Sequence, residues 1–132
     1  MSTNKTENYQ LHSWLPADDF LRTEINENFT KLDTALSGLL SAGAYTGDGR
    51  GQRTVSLGFT PRAVLVMSQD GSTRNYYGNN GGLALSGAPV LLGSVQVVSI
   101  VEGGFRVVST TSGSQSVTTN GSNMVYHYLA LR

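Results

Sequence analysis

The sequence contains no cysteine, few charged residues and no long apolar run, and each absence excludes a class of protein. Without cysteine there can be neither a disulfide framework nor a thiolate metal site. The longest apolar runs, such as Ala63–Met67, are far shorter than the roughly 20 residues that span a bilayer, which excludes membrane insertion. The nine basic residues are dispersed and balance nine acidic ones, whereas nucleic-acid binding needs a dense basic stripe, so that class is excluded as well.

Side chains that could carry acid–base catalysis are equally scarce. The second part of the chain offers only Asp48, Asp70, Glu102 and His127. The two aspartates stand beside glycines, as turn residues do. The two histidines of the chain are too far apart in sequence to match a metal-ligand spacing. We therefore expect no catalytic residue, no bound metal and no cofactor, with a glycosidase that pairs two of the three carboxylates left open as an alternative.

The first fifteen residues are polar and carry no apolar stretch of the kind that forms a Sec signal peptide. We therefore expect the protein to be made in the cytoplasm and not to be exported by that route. The segment is predicted to be extended. Its apolar side chains are ones that a free tail would not need, and they are Tyr9, Leu11 and Trp14.

A heptad pattern follows the N-terminal segment. Its apolar residues are Ile25, Phe29, Leu32, Leu36 and Leu39, separated by steps of 4, 3, 4 and 3 residues. Such a narrow seam is typical of a helix that packs against copies of itself, and a bulky Phe29 at an a position favours three strands over two. We predict a helix from Asp18 to about Ser41, forming a short trimeric coiled coil. An amphipathic helix that lies on its own domain is the alternative.

From Ala44 onward the sequence becomes rich in glycine, serine and β-branched residues. Short strands are predicted at residues 53–57, 63–67, 94–101, 105–109 and 124–132. The run Ala63–Met67 is continuously apolar, which predicts a central strand buried on both faces or across a subunit contact. With no second helix, this pattern indicates an all-β sandwich over residues 44–132, preceded by an N-terminal segment and helix over residues 1–43.

One stretch of the β part has the composition of a binding loop. Residues 72–80, STRNYYGNN, combine two tyrosines, one arginine and several asparagines, a mix that suits both antibody paratopes and carbohydrate sites. The candidate binding residues are Arg74, Asn75, Tyr76, Tyr77, Asn79 and Asn80. An ordinary hairpin end is the alternative. A second polar stretch, Thr110–Asn123, lacks aromatic residues and is a weaker candidate loop.

Several segments resemble proteins of bacteriophage tails. The N-terminal part resembles the start of many phage and prophage tail or baseplate proteins in Thr6–Leu11, Trp14, Phe20–Phe29 and Lys31–Leu36. The second part resembles the C-terminal domains of phage tail fibres in Tyr45–Gly49, Ser56–Val66, Gly103–Phe105 and Tyr126–Leu131. The resemblance implies a homotrimer, a place in the virion tail or in a phage-derived particle, and binding to the host surface. It brings no catalytic motif, and the chain departs from long fibres in having no shaft.

The resemblance and the residues together lead to one main expectation. The chain would be a receptor-binding protein whose partners are its own copies, other tail or baseplate proteins, and a host glycan or surface protein. Tyr9, Leu11 and Trp14 are the candidate contacts for attachment to the particle. Two alternatives stay open, namely a purely architectural baseplate or tail-decoration protein without a receptor, and a polysaccharide depolymerase.

Overall fold

The computed structural model describes all 132 residues and divides into two compact units, Met1–Leu39 and Leu40–Arg132. Strands make up 46% of the chain and helix 12%, which confirms an all-β class for the second unit. The boundary lies between Leu39 and Leu40 and not after residue 43 as predicted, because the first strand of the second unit already begins at Leu40.

The first unit contains a small hairpin and the only helix. Its elements are β1 (Asn4–Lys5), β2 (His12–Ser13) and α1 (Arg22–Ser37). The two strands pair antiparallel, and the backbone N–H of Thr6 donates to the carbonyl of Leu11 at 2.8 Å to close the turn between them. The prediction that residues 1–15 are extended is therefore wrong, because these bonds fold the segment back on itself.

The helix begins later than predicted, at Arg22 instead of Asp18. The Asp18 carboxylate accepts the backbone N–H groups of Leu15 at 2.8 Å and Thr3 at 2.9 Å. An aspartate that bonds nearby backbone in this way stabilises a turn in competition with a helix. Asp18 therefore holds the chain ahead of the helix and does not form its first turn.

The helix also ends earlier than predicted, at Ser37. The N–H of Gly38 bonds the carbonyl of Leu36 and caps the last turn, and the next strand begins almost at once. Leu39 thus lies outside the helix and cannot continue the heptad. The predicted seam is reduced to Ile25, Phe29, Leu32 and Leu36. This helix is neither long nor apolar enough to cross a bilayer.

The second unit consists of strands joined mostly by short turns. In chain order they are β3 (Leu40–Thr46), β4 (Gln52–Ser56), β5 (Ala63–Ser68), β6 (Arg74–Asn75), β7 (Gly78–Asn79), β8 (Gly82–Leu85), β9 (Val90–Leu92), β10 (Val95–Val101), β11 (Gly104–Ser112), β12 (Gln115–Thr118) and β13 (Val125–Leu131). One sheet has the order β3-β13-β5-β8. The other has the order β6-β7-β12-β11-β10-β9, with β4 also paired to β11.

The apolar run that begins at Ala63 forms a central strand, as predicted, because β5 lies between β13 and β8. Its inward residues Val64 and Val66 are fully buried. The residues on the opposite face of β5 are only half-buried. Within a single chain, therefore, one face of the strand is buried as predicted and the other is not. The outer face of this sheet is consequently an apolar surface.

The inner faces of both sheets contribute to one core. Tyr126 from the smaller sheet and Phe105 from the larger one are its largest fully buried side chains. Tyr45 contacts both, with ring centroids 5.2 Å from Tyr126 and 6.0 Å from Phe105. Aromatic rings at these separations contribute to stability beyond the area that they bury.

Two strands of this unit lie in residues that were predicted to form other structure. β3 occupies residues assigned to the helix and the linker, and β12 lies within Thr110–Asn123, which was predicted as a polar loop. Two polar side chains of that stretch, Thr119 and Asn120, are fully buried. The Thr119 hydroxyl lies 2.9 Å from the carbonyl of Val97 and accepts the N–H of Val108, so it satisfies backbone groups inside the fold. Thr119 therefore has a structural part in the fold, and this portion of the stretch is not a free loop.

Candidate functional site

The two adjacent tyrosines, Tyr76 and Tyr77, form the tip of the β6–β7 hairpin and are called the tyrosine turn. Tyr76 is 93% exposed and Tyr77 is 74% exposed, far more than other aromatic residues of the second unit. Their rings meet edge to face with centroids 5.2 Å apart. The Asn75 side chain accepts the N–H of Tyr77 at 2.9 Å and stabilises the turn. The structure thus places two rings at the surface on a hydrogen-bonded support.

The hairpin is anchored to the larger sheet. β7 pairs parallel with β12, and the Ser116 N–H donates to the carbonyl of Tyr77 at 2.9 Å. Gly78 permits this approach, because a Cβ at that position would lie 1.8 Å from the Ser116 carbonyl oxygen. The tyrosine turn is therefore attached to the sheet through its backbone while its side chains remain free.

Two of the predicted binding residues are not at the surface. Asn79 is 7% exposed and Asn80 is 4% exposed. The Asn79 side chain accepts the N–H of Gly81 at 3.0 Å, and that of Asn80 accepts the Thr118 hydroxyl at 2.6 Å. These asparagines build the hairpin and are not open amides at its tip, which corrects the sequence prediction. Arg74 and Asn75 remain exposed, and Arg74 makes no ion pair.

An open cavity of about 520 Å³ lies beside the hairpin and is called the polar groove. Its polar lining comes from Ser68, Gln69, Asp70, Asn75, Asn80 and Asn123, and its apolar lining from Met124 and Val125. The Ser68 hydroxyl at 2.6 Å and the Ser72 backbone N–H at 2.9 Å both donate to Asp70, and these bonds lower the pKa of that carboxyl to about 2. Sequence reasoning missed this site, because three separate stretches of chain form it.

The strand order places the tyrosine turn at one end of the second unit. β3 begins with Leu40 paired to Leu131, and β5 begins at that same end of the sheet. β5 finishes at Ser68, from which the hairpin departs, and the chain returns at Gly82. The hairpin and the first residue of β3 therefore lie at opposite ends of the smaller sheet.

The carboxylates considered for catalysis lie in separate local settings. The N–H of Arg50 at 3.0 Å and the side-chain amide of Asn120 donate to Asp48 and lower its pKa. The pKa of Asp70 is lowered by the hydrogen bonds within its own turn. A glycosidase acid needs a raised pKa, and neither aspartate has one. No group of three or more His, Asp or Glu side chains converges as metal ligands would. The expectation that the chain is not an enzyme stays a prediction.

In the first unit, a buried carboxylate organises the hairpin on the helix. Glu24 accepts the indole N–H of Trp14 at 2.9 Å and the backbone N–H of Ser2 at 2.9 Å. His12 lies 3.5 Å from Glu24 through one ring nitrogen and 3.0 Å from Glu27 through the other. Sequence reasoning missed this network, since nothing in the local pattern pairs residues 2–14 with the helix.

The candidate attachment residues are placed unequally. Tyr9 is exposed, whereas Leu11 and Trp14 are half-buried. The Trp14 ring also packs on Phe20, with centroids 4.8 Å apart. Trp14 thus has a structural part in its own unit, and Tyr9 is the candidate most open to a partner.

The acidic residues of the first unit predict a pH-dependent stability. Lys31 and then His12 lower the pKa of Glu27 to about 2. Desolvation raises the pKa of Glu24, but the hydrogen bonds from Ser2 and Trp14 outweigh it and leave that pKa below its usual value. The unfolded chain then binds more protons than the folded one at acid pH, so stability is lost as pH falls below about 4.5 toward 2.

Trp14 is the only tryptophan and therefore reports on the first unit alone. We expect the urea midpoint of its fluorescence transition to be lower at about pH 3 than at pH 7. The urea midpoint of a Glu27→Gln variant should fall less between pH 7 and pH 3 than the midpoint of the wild type does. Equal midpoints at both pH values would contradict the prediction.

Two apolar surfaces are left open in the single chain. On the helix, Phe29 is 66% and Leu36 is 70% exposed, while Ile25 and Leu32 are half-buried. On the outer face of the smaller sheet, the exposed apolar side chains are Leu40, Leu83, Leu85 and Leu129. Contiguous exposed apolar surface of this kind marks interaction sites.

No protein-family model, curated protein or solved structure matches the chain.

Proposed function

We propose that the protein is a tail-fibre or baseplate protein of a bacteriophage or a phage-derived particle, and that it binds the host cell surface as a homotrimer. The resemblance of both parts of the sequence to phage tail proteins supports the proposal. The observation that carries it is the tyrosine turn, where Tyr76 and Tyr77 are exposed on a hairpin that is anchored by its backbone.

The chemistry of the turn suits a glycan. A sugar presents apolar ring faces and hydroxyl groups, and tyrosine combines a flat apolar ring with a polar tip. Two rings held at right angles to each other offer faces in two directions, with the side chains of Arg74 and Asn75 exposed beside them. Little ordering is needed on binding, because the hairpin is already formed.

The position of the turn suits display. The chain enters the second unit at Leu40, and the tyrosine turn lies at the other end of the smaller sheet. The second unit would therefore present the turn at the end opposite Leu40, where the chain enters it. Tyr9, which is exposed in the first unit, would contact the rest of the particle. The protein would then be located in the virion tail.

Trimer formation would cover the open apolar surfaces and increase the strength of binding. The helix would associate as a short coiled coil through Ile25, Phe29, Leu32 and Leu36, and the second unit would be a β-sandwich that gains buried surface between copies. Single sugar contacts are weak. Three copies on one axis raise the effective concentration of the second and third sites, so the whole trimer binds much more strongly than one site.

The proposal is tested by removing both rings of the turn. The double variant Tyr76→Ala/Tyr77→Ala should remain folded, since exposed substitutions usually change stability by less than about 0.5 kcal/mol. It should lose binding to bacterial cells and to an array of bacterial surface polysaccharides. Tyr9→Ala removes another exposed tyrosine and is the matched control, which should bind as the wild type does.

The alternatives give different results in the same assays. A folded wild-type trimer that binds no cell and no polysaccharide would be an architectural protein. Release of oligosaccharides from a bound polysaccharide would indicate a depolymerase. A double variant that binds cells as well as the wild type would move the contact away from the tyrosine turn and contradict the proposal.

A further inference from the structure

The polar groove contains a carboxylate with unused hydrogen-bonding capacity. One oxygen of Asp70, Oδ1, accepts the Ser68 hydroxyl and the Ser72 N–H. Its other oxygen, Oδ2, accepts no hydrogen bond from the chain. The turn therefore fixes the carboxylate through one oxygen and leaves the second without a hydrogen-bond partner in the chain, and Asp70 lines the groove. A carboxylate oxygen held in this way is a strong acceptor for a hydroxyl group.

Unpaired amides face the same space. The Asn80 side chain uses its oxygen to accept the Thr118 hydroxyl, but its nitrogen donates to nothing in the chain. Ser99 Oγ is the one unpaired side-chain polar atom that is sealed from solvent, so the unpaired Asn80 nitrogen keeps some contact with solvent. Asn80 lines the groove although the residue is 96% buried. The side chains of Gln69 and Asn123 also line the groove and make no hydrogen bond within the chain.

This pairing of a free acceptor with several free donors matches a hydroxyl-rich ligand. A hydroxyl group both donates and accepts a hydrogen bond, so adjacent hydroxyls on a sugar ring can use Asp70 and the amides together. Met124 and Val125 supply an apolar wall for the carbon face of the ring. The cavity, at about 520 Å³, falls within the range of small-molecule sites.

We propose that the polar groove binds one uncharged pyranose unit of the surface glycan, with Asp70 accepting from its hydroxyls and Asn80, Asn123 and Gln69 donating to them. This inference rests on the proposed function and names the class of sugar that it recognises. Asn75 belongs to the groove and directly precedes Tyr76, so the next sugar of the same glycan would lie against the tyrosine turn.

The charge of the groove favours neutral sugars over acidic ones. Its lining contains one carboxylate and neither lysine nor arginine. Asp70 is ionised at neutral pH, and the hydrogen bonds that lower its pKa to about 2 extend the charged state into acid conditions. A uronic or sialic acid would place a second negative charge beside it, and like charges at close range repel. Arg74 lies on β6, outside the lining of the groove.

The test is an NMR titration of the full-length protein. Backbone amide shifts are followed while glucose, galactose, mannose or N-acetylglucosamine is added to about 10 mM, a range suited to weak single-sugar binding. Glucuronic acid and N-acetylneuraminic acid are the acidic probes. We expect at least one neutral sugar to shift the amides of Gln69, Asp70 and Asn123, and the acidic sugars to leave them unchanged.

Two variants remove the proposed contacts with little change in the backbone. Asp70→Asn keeps an oxygen for Ser68 and Ser72 and removes the free acceptor, and it should weaken the neutral sugar by about tenfold or more. Asn123→Gly removes the side-chain amide, and glycine readily adopts the φ of 60° found at that position. This variant should also bind the neutral sugar more weakly. Glu102→Gln, an exposed carboxylate outside the groove, is the matched control and should bind normally.

The outcomes separate this inference from the proposed function. Neutral sugars that shift other amides only, acidic sugars that bind in the groove, or an Asp70→Asn protein with unchanged affinity would each overturn it. If cells bind the wild type but not the tyrosine double variant, while no neutral sugar shifts the groove, the inference falls and the proposed function stands. If neither cells nor sugars bind, both fall.

Discussion

Leu36→Glu is expected to convert the proposed trimer into a monomer at micromolar concentration. Leu36 occupies an a position of the heptad and is 70% exposed in the single chain. In a three-stranded coil its side chain would meet two copies of itself on the axis. Three glutamates there would bury unpaired charges that repel one another, which costs several kcal/mol. Light scattering should show a particle with one-third of the wild-type mass.

The control for this variant adds the same charge on the opposite side of the helix. Thr34 is exposed and lies at an f position, so Thr34→Glu should leave the trimer intact. Trp14 fluorescence should show that the first unit stays folded in both variants. A Leu36→Glu protein that remains trimeric would contradict the predicted coiled coil. It would indicate that the apolar outer face of the smaller sheet holds the copies together.

Phe105→Ala is expected to cost the second unit about 3–5 kcal/mol of unfolding free energy. Phe105 is fully buried, with ring centroids 6.0 Å from Tyr45 and 5.3 Å from Tyr128. Its removal leaves a cavity between the two sheets and deletes these aromatic contacts. A loss of this size is a large share of the roughly 5–15 kcal/mol that stabilises a domain.

The measurement is urea unfolding followed by circular dichroism, which reports mainly on the strands. Leu91→Ala on the edge strand β9 is the control, because Leu91 is 58% exposed and its truncation should change stability by less than about 0.5 kcal/mol. The Trp14 transition should be unchanged in both variants, since it follows the first unit. Equal midpoints for Phe105→Ala and Leu91→Ala would show that Phe105 does not hold the core.

Several elements of the fold could be predicted from periodicity alone. Residues 63–67 formed a central strand, and residues 94–101 and 105–109 formed a hairpin, as their runs of β-branched residues indicated. The heptad from Ile25 to Leu36 also lies on a helix. These signals are local, because each strand or helix repeats its own apolar spacing along a short stretch of chain.

The ends of the helix were harder to predict. Asp18 looked like a residue of the first helical turn but accepts N–H groups from Thr3 and Leu15 instead. Either position, in the first turn of the helix or in the turn ahead of it, gives the Asp18 carboxylate favourable partners. The choice depended on Thr3, which the chain brings back to Asp18 only after the N-terminal hairpin has formed. A local pattern does not contain that contact.

The sequence by itself determined the all-β class of the second unit, the helix of the first, and the presence of two adjacent tyrosines in a turn. Only the tertiary structure decided that Asn79 and Asn80 are buried while Tyr76 and Tyr77 are exposed, since polar side chains are buried wherever a distant partner satisfies them. Asn80 finds Thr118, which β12 brings beside the hairpin. The polar groove arose in the same way, because residues 68–70, 75–80 and 123–125 meet only once the strands are in register.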